Sequence, residues 1–138
     1  MVKIIVCGGR VGRNLTKQRV YAVLSALTAG EPAGGLITIV HGDAAWVDKW
    51  SGQWARDHGH TEIKVPVDSR LDGYRETAPK NRNGRMLKQH MDADYNLGFP
   101  GGGGTFDMMD RCHAVGMPVA DVELRDDGTW EVKWWPQK

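Results

Sequence analysis

The sequence predicts an α/β domain, a mostly parallel sheet with helices on both faces and an antiparallel hairpin at the C-terminal edge. Three observations carry that expectation. Short apolar runs alternate with stretches of helical period along the chain. Three of the runs end in glycine-containing loops just before a helix begins. The last two runs are joined by the turn Asp126-Asp127-Gly128, which suits a hairpin. At 138 residues and 41% hydrophobic, the chain has the size of one domain, taken as residues 1–138, with one core.

Val2 to Cys7 is a continuous apolar run closed by Gly8-Gly9, as expected of a central strand buried on both faces. Thr16 to Leu27 follows as a helix, with Val20, Val23, Leu24 and Leu27 at helical spacing and Thr16 as its cap. After the Gly- and Pro-rich stretch Gly30 to Gly35, Leu36 to Val40 reads as the second strand and Asp43 to His58 as the second helix, stopped by Gly59. Glu62 to Val65 reads as a third strand. Residues 66–79 show no period and contain Pro66, Gly73 and Pro79, so they are expected to form a long loop of functional interest. Lys80 to Met91 is the third helix, with Met86, Leu87 and Met91 on its apolar side. Ala93 to Phe99 is the fourth strand and Thr105 to Val115 the fourth helix, followed by Gly116 and Pro118 in the order that helix termination favours. Met117 to Leu124 then pairs with the alternating Thr129 to Trp134.

Composition narrows the partners. Lys and Arg total 18 against 17 Asp and Glu, a balance that argues against a dedicated nucleic-acid binder. Two cysteines, Cys7 and Cys112, form neither a disulfide framework nor a C-x-x-C pair, and read as buried thiols of a reducing compartment. The first residues are too short for a signal-peptide core and nothing approaches a membrane span, so a cytoplasmic protein with no membrane partner is expected. The five histidines show no metal spacing, and no metal or cofactor is expected.

In open α/β sheets, ligands bind where strand ends lead into helix N-termini. Three loops fall there: Gly8-Gly9-Arg10, His41-Gly42-Asp43, and Pro100-Gly101-Gly102-Gly103-Gly104-Thr105. Glycines allow close approach of an anion to backbone N–H groups, and Thr105 can cap its helix or donate its hydroxyl. Neither a Walker Gly-Lys-Ser/Thr nor a full G-x-G-x-x-G occurs, which argues against a conventional ATPase or hydride-transfer enzyme. Taken alone, Gly8-Gly9 could be a plain tight turn and the basic residues solvated helix faces. Arg10 in its glycine turn and Arg82 near a helix start are the best-placed counter-charges, and His41, at a strand end, is a further candidate for touching the ligand. Trp46, Trp50 and Trp54 form one helical stripe, read as core packing with a homodimer contact as the alternative.

The combination of Gly8-Gly9-Arg10, His41-Gly42-Asp43 with Asp48, Pro66-Val67-Asp68, Pro79 followed by Arg82-Asn83 and Met86-Leu87, and Phe99 to Thr105 with Asp107-Met108 resembles the SLOG superfamily. The likeness spans about residues 2 to 122 and is nearest to that superfamily's small single-domain bacterial and phage branch. It implies a Rossmann-like three-layer fold that binds nucleotides or nucleotide-derived ligands. The lonely-guy branch cleaves the bond between a base and ribose 5-phosphate, with a motif Pro-Gly-Gly-x-Gly-Thr-x-x-Glu and an upstream arginine. The arginine maps to Arg82, but the glutamate position holds Met108, which cannot relay a proton or stabilise an oxocarbenium-like centre. Trp46 also stands where that branch has a small residue.

The expected function is therefore binding of a nucleotide or phosphoribosyl-containing metabolite, as a sensor or sequestering protein. Phosphate would sit on the backbone of Gly101 to Thr105, with Arg10, Arg82 and Asn83 nearby and Asp43 or Asp48 for a ribose hydroxyl. The alternative is an N-glycoside hydrolase in which Asp107 or Asp110 replaces the glutamate. Single-stranded DNA binding is a weaker alternative, opposed by the near-neutral net charge of +1.

Overall fold

The computed structural model describes residues 2–10, 12–31 and 35–137. Eleven elements follow one another: β1 (Val2–Cys7), α1 (Lys17–Thr28), β2 (Ile37–His41), α2 (Val47–Asp57), β3 (Thr61–Lys64), α3 (Ser69–Asp72), α4 (Ala78–Gln89), β4 (Tyr95–Gly98), α5 (Gly103–Ala114), β5 (Val119–Leu124) and β6 (Trp130–Trp134). The strands form one sheet in the order β3-β2-β1-β4-β5-β6. Every neighbouring pair is parallel except the terminal hairpin β5–β6. The expected α/β architecture with an antiparallel edge hairpin is thus the one observed. The expected loop Gly30 to Gly35 falls partly on residues 32–34, outside the described residues.

β1 shows why the sheet carries helices on both faces. Its side chains alternate in direction. Ile4 and Val6 join Val20 and Leu24 of α1 and Trp54 of α2 in one cluster, while Ile5 and Cys7 join Met86 of α4 and Met108 and Cys112 of α5 in the other. The chain runs outward from β1 through β2 to β3 and returns to β4 on the other side of β1. The connections leaving β1 and β4 therefore turn to opposite faces, and a crevice opens between them.

Several boundaries differ from the sequence expectation, each for a local reason. α2 begins at Val47 rather than Asp43, because Asp43 (φ 59°) and Trp46 (φ 66°) adopt left-handed backbone that breaks any earlier turn. Of the tryptophan stripe, Trp54 alone is fully buried, with its indole N–H donating to Ser25 Oγ at 3.0 Å. Trp50 packs partly against the core, and Trp46 stacks on Trp50 from outside the helix. Residues 66–79 are not all loop. They contain α3, capped by Asp68, and the first turn of α4, where Pro79 occupies a position without a helical N–H partner. α4 stops at Gln89, leaving Met91 half exposed instead of packed. α5 starts at Gly103 with Gly102 as its N-cap, so Thr105 does not cap it; its side chain is buried in the first turn. Thr16 caps α1 as expected, accepting from the N–H of Arg19 at 3.2 Å. No helix among the described residues is long and apolar enough to cross a membrane.

Candidate functional site

The crevice between the ends of β1 and β4 holds a cavity of about 260 Å³. Backbone hydrogen bonds fix its rim. Phe99 N–H donates to the Cys7 carbonyl, and Gly9 N–H donates to the Pro100 carbonyl, both at 2.9 Å. A Cβ on Gly101 would lie 2.7 Å from the Gly9 nitrogen and also strike Thr105, so only glycine lets these two loops close on one another. The first residues of α5 leave unpaired N–H groups at its start, and Gly102, Gly104 and Thr105 face the cavity.

Arg82 and Asn83, both buried on α4, tie two loops and the start of α5 together at this rim. Arg82 Nη1 donates to the carbonyls of Gly42 at 2.5 Å and Val65 at 3.2 Å, and its Nε to Asn83 Oδ1 at 3.1 Å. Asn83 Nδ2 in turn donates to the Gly104 carbonyl and to Asp107 Oδ2, each at 3.1 Å. Burial lowers the guanidinium pKa of Arg82, while the Asp48 and Asp72 carboxylates raise it. It remains a cation, as guanidinium groups do. Arg10, exposed at the end of β1, lines the same cavity.

Asp48 is the one carboxylate among the cavity-lining residues. Its Oδ2 accepts from the N–H groups of Gly42 at 3.2 Å and Ala44 at 3.1 Å, pinning the loop after β2. Burial pushes this carboxyl above its ordinary pKa, against the lowering effect of those N–H groups and of Arg82. Its Oδ1 has no hydrogen-bond partner among the described residues and can accept one.

The structure brings together Gly8, Gly9, Arg10, Gly42, Asp48, Arg82, Asn83, Gly102, Gly104 and Thr105 around the cavity. The remaining sequence candidates do not line it. His41 is fully buried beneath the loop, with Nδ1 accepting from Asp43 N–H at 2.9 Å and Nε2 bonded to Glu62 Oε2 at 2.7 Å. The expectation that it touches the ligand is therefore corrected: both ring nitrogens are engaged within the protein. Asp43 turns to Lys49 Nζ at 3.1 Å, away from the cavity. Burial raises its carboxyl, and the Lys49 hydrogen bond and the nearby lysines more than offset this, holding it below the ordinary value. Pro100 and Gly101 line a neighbouring hollow, and Gly103 is exposed at the helix start.

Asp107 and Asp110 also lie elsewhere. Asp107 Oδ2 is taken by Arg111 Nε at 2.9 Å and by Asn83, and Asp110 is exposed on the outer side of α5. Met108 is 1% exposed and packs among Met86, Met109 and Cys112. Sequence reasoning missed Pro79 and Met86 as cavity walls. Met86 lies on the apolar side of α4, where it packs with Ile5 and Cys7 of β1, and only this packing brings it to the cavity.

A scan of protein-family models finds no match to the chain. A search of curated proteins likewise finds none. Among solved structures, the chain is similar to the X-ray structure of TM1055, a Northeast Structural Genomics Consortium target. The two share 20% identity with a TM-score of 0.62, over 86% of this chain and 72% of that one. At that identity the similarity is one of fold, the Rossmann-like α/β arrangement described above.

Proposed function

We propose that this chain is a SLOG-like domain that binds a nucleotide or nucleotide-derived, phosphoribosyl-containing metabolite, as a cytoplasmic sensor or sequestering protein. The observation that carries this reading is the gathering of complementary groups around one small cavity. Arg10, Arg82 and the start of α5 supply positive potential, and Asp48, which meets Arg82 at Gly42, supplies a carboxylate acceptor. A phosphate fits the first and a ribose hydroxyl the second. The cavity lies just below the ~300–1,000 Å³ usual for small-molecule pockets, which suits a phosphoribosyl group better than a whole cofactor.

Binding is favoured over turnover because the motif position of the hydrolases is an apolar core residue, Met108, and neither Asp107 nor Asp110 reaches the cavity. One observation favours the second reading, N-glycoside hydrolysis: Asp48 is a buried carboxylate with a raised pKa in the cavity wall, the setting in which general acids and bases occur.

Denaturing the purified protein and identifying released small molecules by mass spectrometry tests the binding reading. A copurified phosphorylated nucleoside derivative is the expected result. An empty protein with no thermal shift across a panel of nucleotides would overturn it. Release of free base from nucleoside monophosphates, abolished by Asp48→Asn, would instead establish the hydrolase.

A further inference from the structure

A second hollow, of about 210 Å³, adjoins the cavity across the glycine loop, and Gly102 and Thr105 line both. Its walls are aromatic. Phe106 and Trp135 meet with ring centroids 5.9 Å apart and planes at 47°. Trp135 is held rigidly: its N–H donates to the Val119 carbonyl at 2.9 Å, its indole N–H donates to Asp121 Oδ2 at 3.1 Å, and the His113 ring abuts it edge-on at 5.4 Å. Phe106 is different, since 60% of it is exposed and it contributes little to the core.

Between the two hollows the surface is bare backbone. A Cβ built on Gly102, Gly103 or Gly104 would meet nothing within 4 Å, so no side chain obstructs a ligand that crosses the loop. The two hollows also differ in charge. Arg10 and Arg82 face the first, whereas Asp121 lies in the second, where it disfavours phosphate and offers an acceptor to an exocyclic amino group. An exposed aromatic ring beside a fixed indole is a platform on which a planar heteroaromatic ring can stack.

We propose that the Phe106–Trp135 hollow is a second subsite, which takes a nucleobase carried on the far side of the ligand's phosphates. The ligand class is then a phosphate-bridged compound with two bases, its phosphates crossing the glycine loop. The proposal rests on the phosphate-cradle reading above.

The test is a calorimetric comparison of three probes in adenine and guanine series: the nucleoside diphosphate, the nucleoside diphosphate ribose, and the dinucleoside 5′,5′-diphosphate. The dinucleoside is expected to bind at least ~10-fold more tightly than the diphosphate ribose in one series, the scale of one base–aromatic stack. Phe106→Ala should erase that gain and leave affinity for the nucleoside diphosphate unchanged, and Phe106→Trp should keep it. Binding of the nucleoside diphosphate with no gain from the second base would overturn the subsite and leave the cradle standing. No binding of any probe would overturn both. Dimerisation in sedimentation that Phe106→Ala abolishes would assign the hollow to a second copy of the chain and overturn the subsite as well.

Discussion

The guanidinium of Arg82 and the backbone of Gly42 are interlocked: Nη1 donates to the Gly42 carbonyl at 2.5 Å, and a Cβ on Gly42 would lie 2.5 Å from Arg82 Cζ. The cation therefore occupies the space that a side chain at position 42 would need. Alanine at 42 must expel the guanidinium or shift the loop. Gly42→Ala is expected to weaken binding of phosphorylated ligands and to lower stability, as Arg82→Ala does, and the double variant should cost little more than either alone. Denaturant unfolding of the three variants checks this coupling. Additive losses would show that the two positions act separately.

Arg82→Ala strips the donor from two carbonyls, those of Gly42 and Val65, and each buried acceptor left unpaired costs about 1–3 kcal/mol. Affinity for nucleoside monophosphates should fall far more than affinity for the nucleosides. Arg82→Lys should restore part of the charge effect without the forked hydrogen bonds. Titration calorimetry with matched phosphorylated and unphosphorylated ligands decides it. Equal losses would remove Arg82 as a phosphate contact.

Asp48 gives a prediction of opposite sign for stability and binding. Burial raises its folded pKa, so folding with the group ionised is unfavourable, and this cost is relieved as pH falls through the raised value. Asp48→Asn keeps an oxygen for the N–H groups of Gly42 and Ala44 while removing the charge. The variant is expected to unfold at a higher temperature than the parent at neutral pH and to lose preference for ribonucleotides over 2′-deoxyribonucleotides. Calorimetric melting and paired binding isotherms check both parts.

Asp72 behaves in the conventional way. Arg85 grips its carboxylate, with Nη2 to Oδ2 at 2.7 Å and Nε to Oδ1 at 3.1 Å, and these hydrogen bonds hold its folded pKa below the ordinary value. The stabilisation is complete above the unfolded pKa of about 3.9 and is lost as pH falls through the lower folded value. Asp72→Asn should cost on the order of 1.5–3 kcal/mol at neutral pH and flatten the acid limb of the stability curve. Urea melts across pH 2–7 measure it, and an unchanged acid limb would refute the assignment.

Met108→Glu places a carboxylate where the resembled hydrolase motif has one, yet the position is 1% exposed among apolar side chains. A carboxylate there has no partner and must be buried protonated or expel its helix, so a loss of several kcal/mol is expected. Free base should not appear when the variant is incubated with nucleoside monophosphates. Measurable cleavage by a stably folded variant would show that α5 can present this position to the cavity.

Much of this protein is determined by sequence alone. The alternation of apolar runs with helical periods specifies the α/β class, because each pattern can bury its apolar atoms in only one kind of layer. The three glycine-bearing loops mark the edge where the cavity opens, since strand ends followed by helix starts must lie together at one side of a parallel sheet. What sequence could not supply are the relations between elements that meet only on folding. His41 looks like a ligand-facing residue until β3 brings Glu62 against it, and α2 looks longer until Asp48 turns back to the N–H groups of Gly42 and Ala44. Residues 66–79 look aperiodic because their order depends on Arg85, thirteen positions beyond Asp72 and on another helix. The choice of Asp48 over Asp43, Asp107 and Asp110 as the cavity's carboxylate was likewise made by packing. Sequence lists the charged groups, but only the tertiary structure decides which of them are spent on one another and which is left facing the cavity.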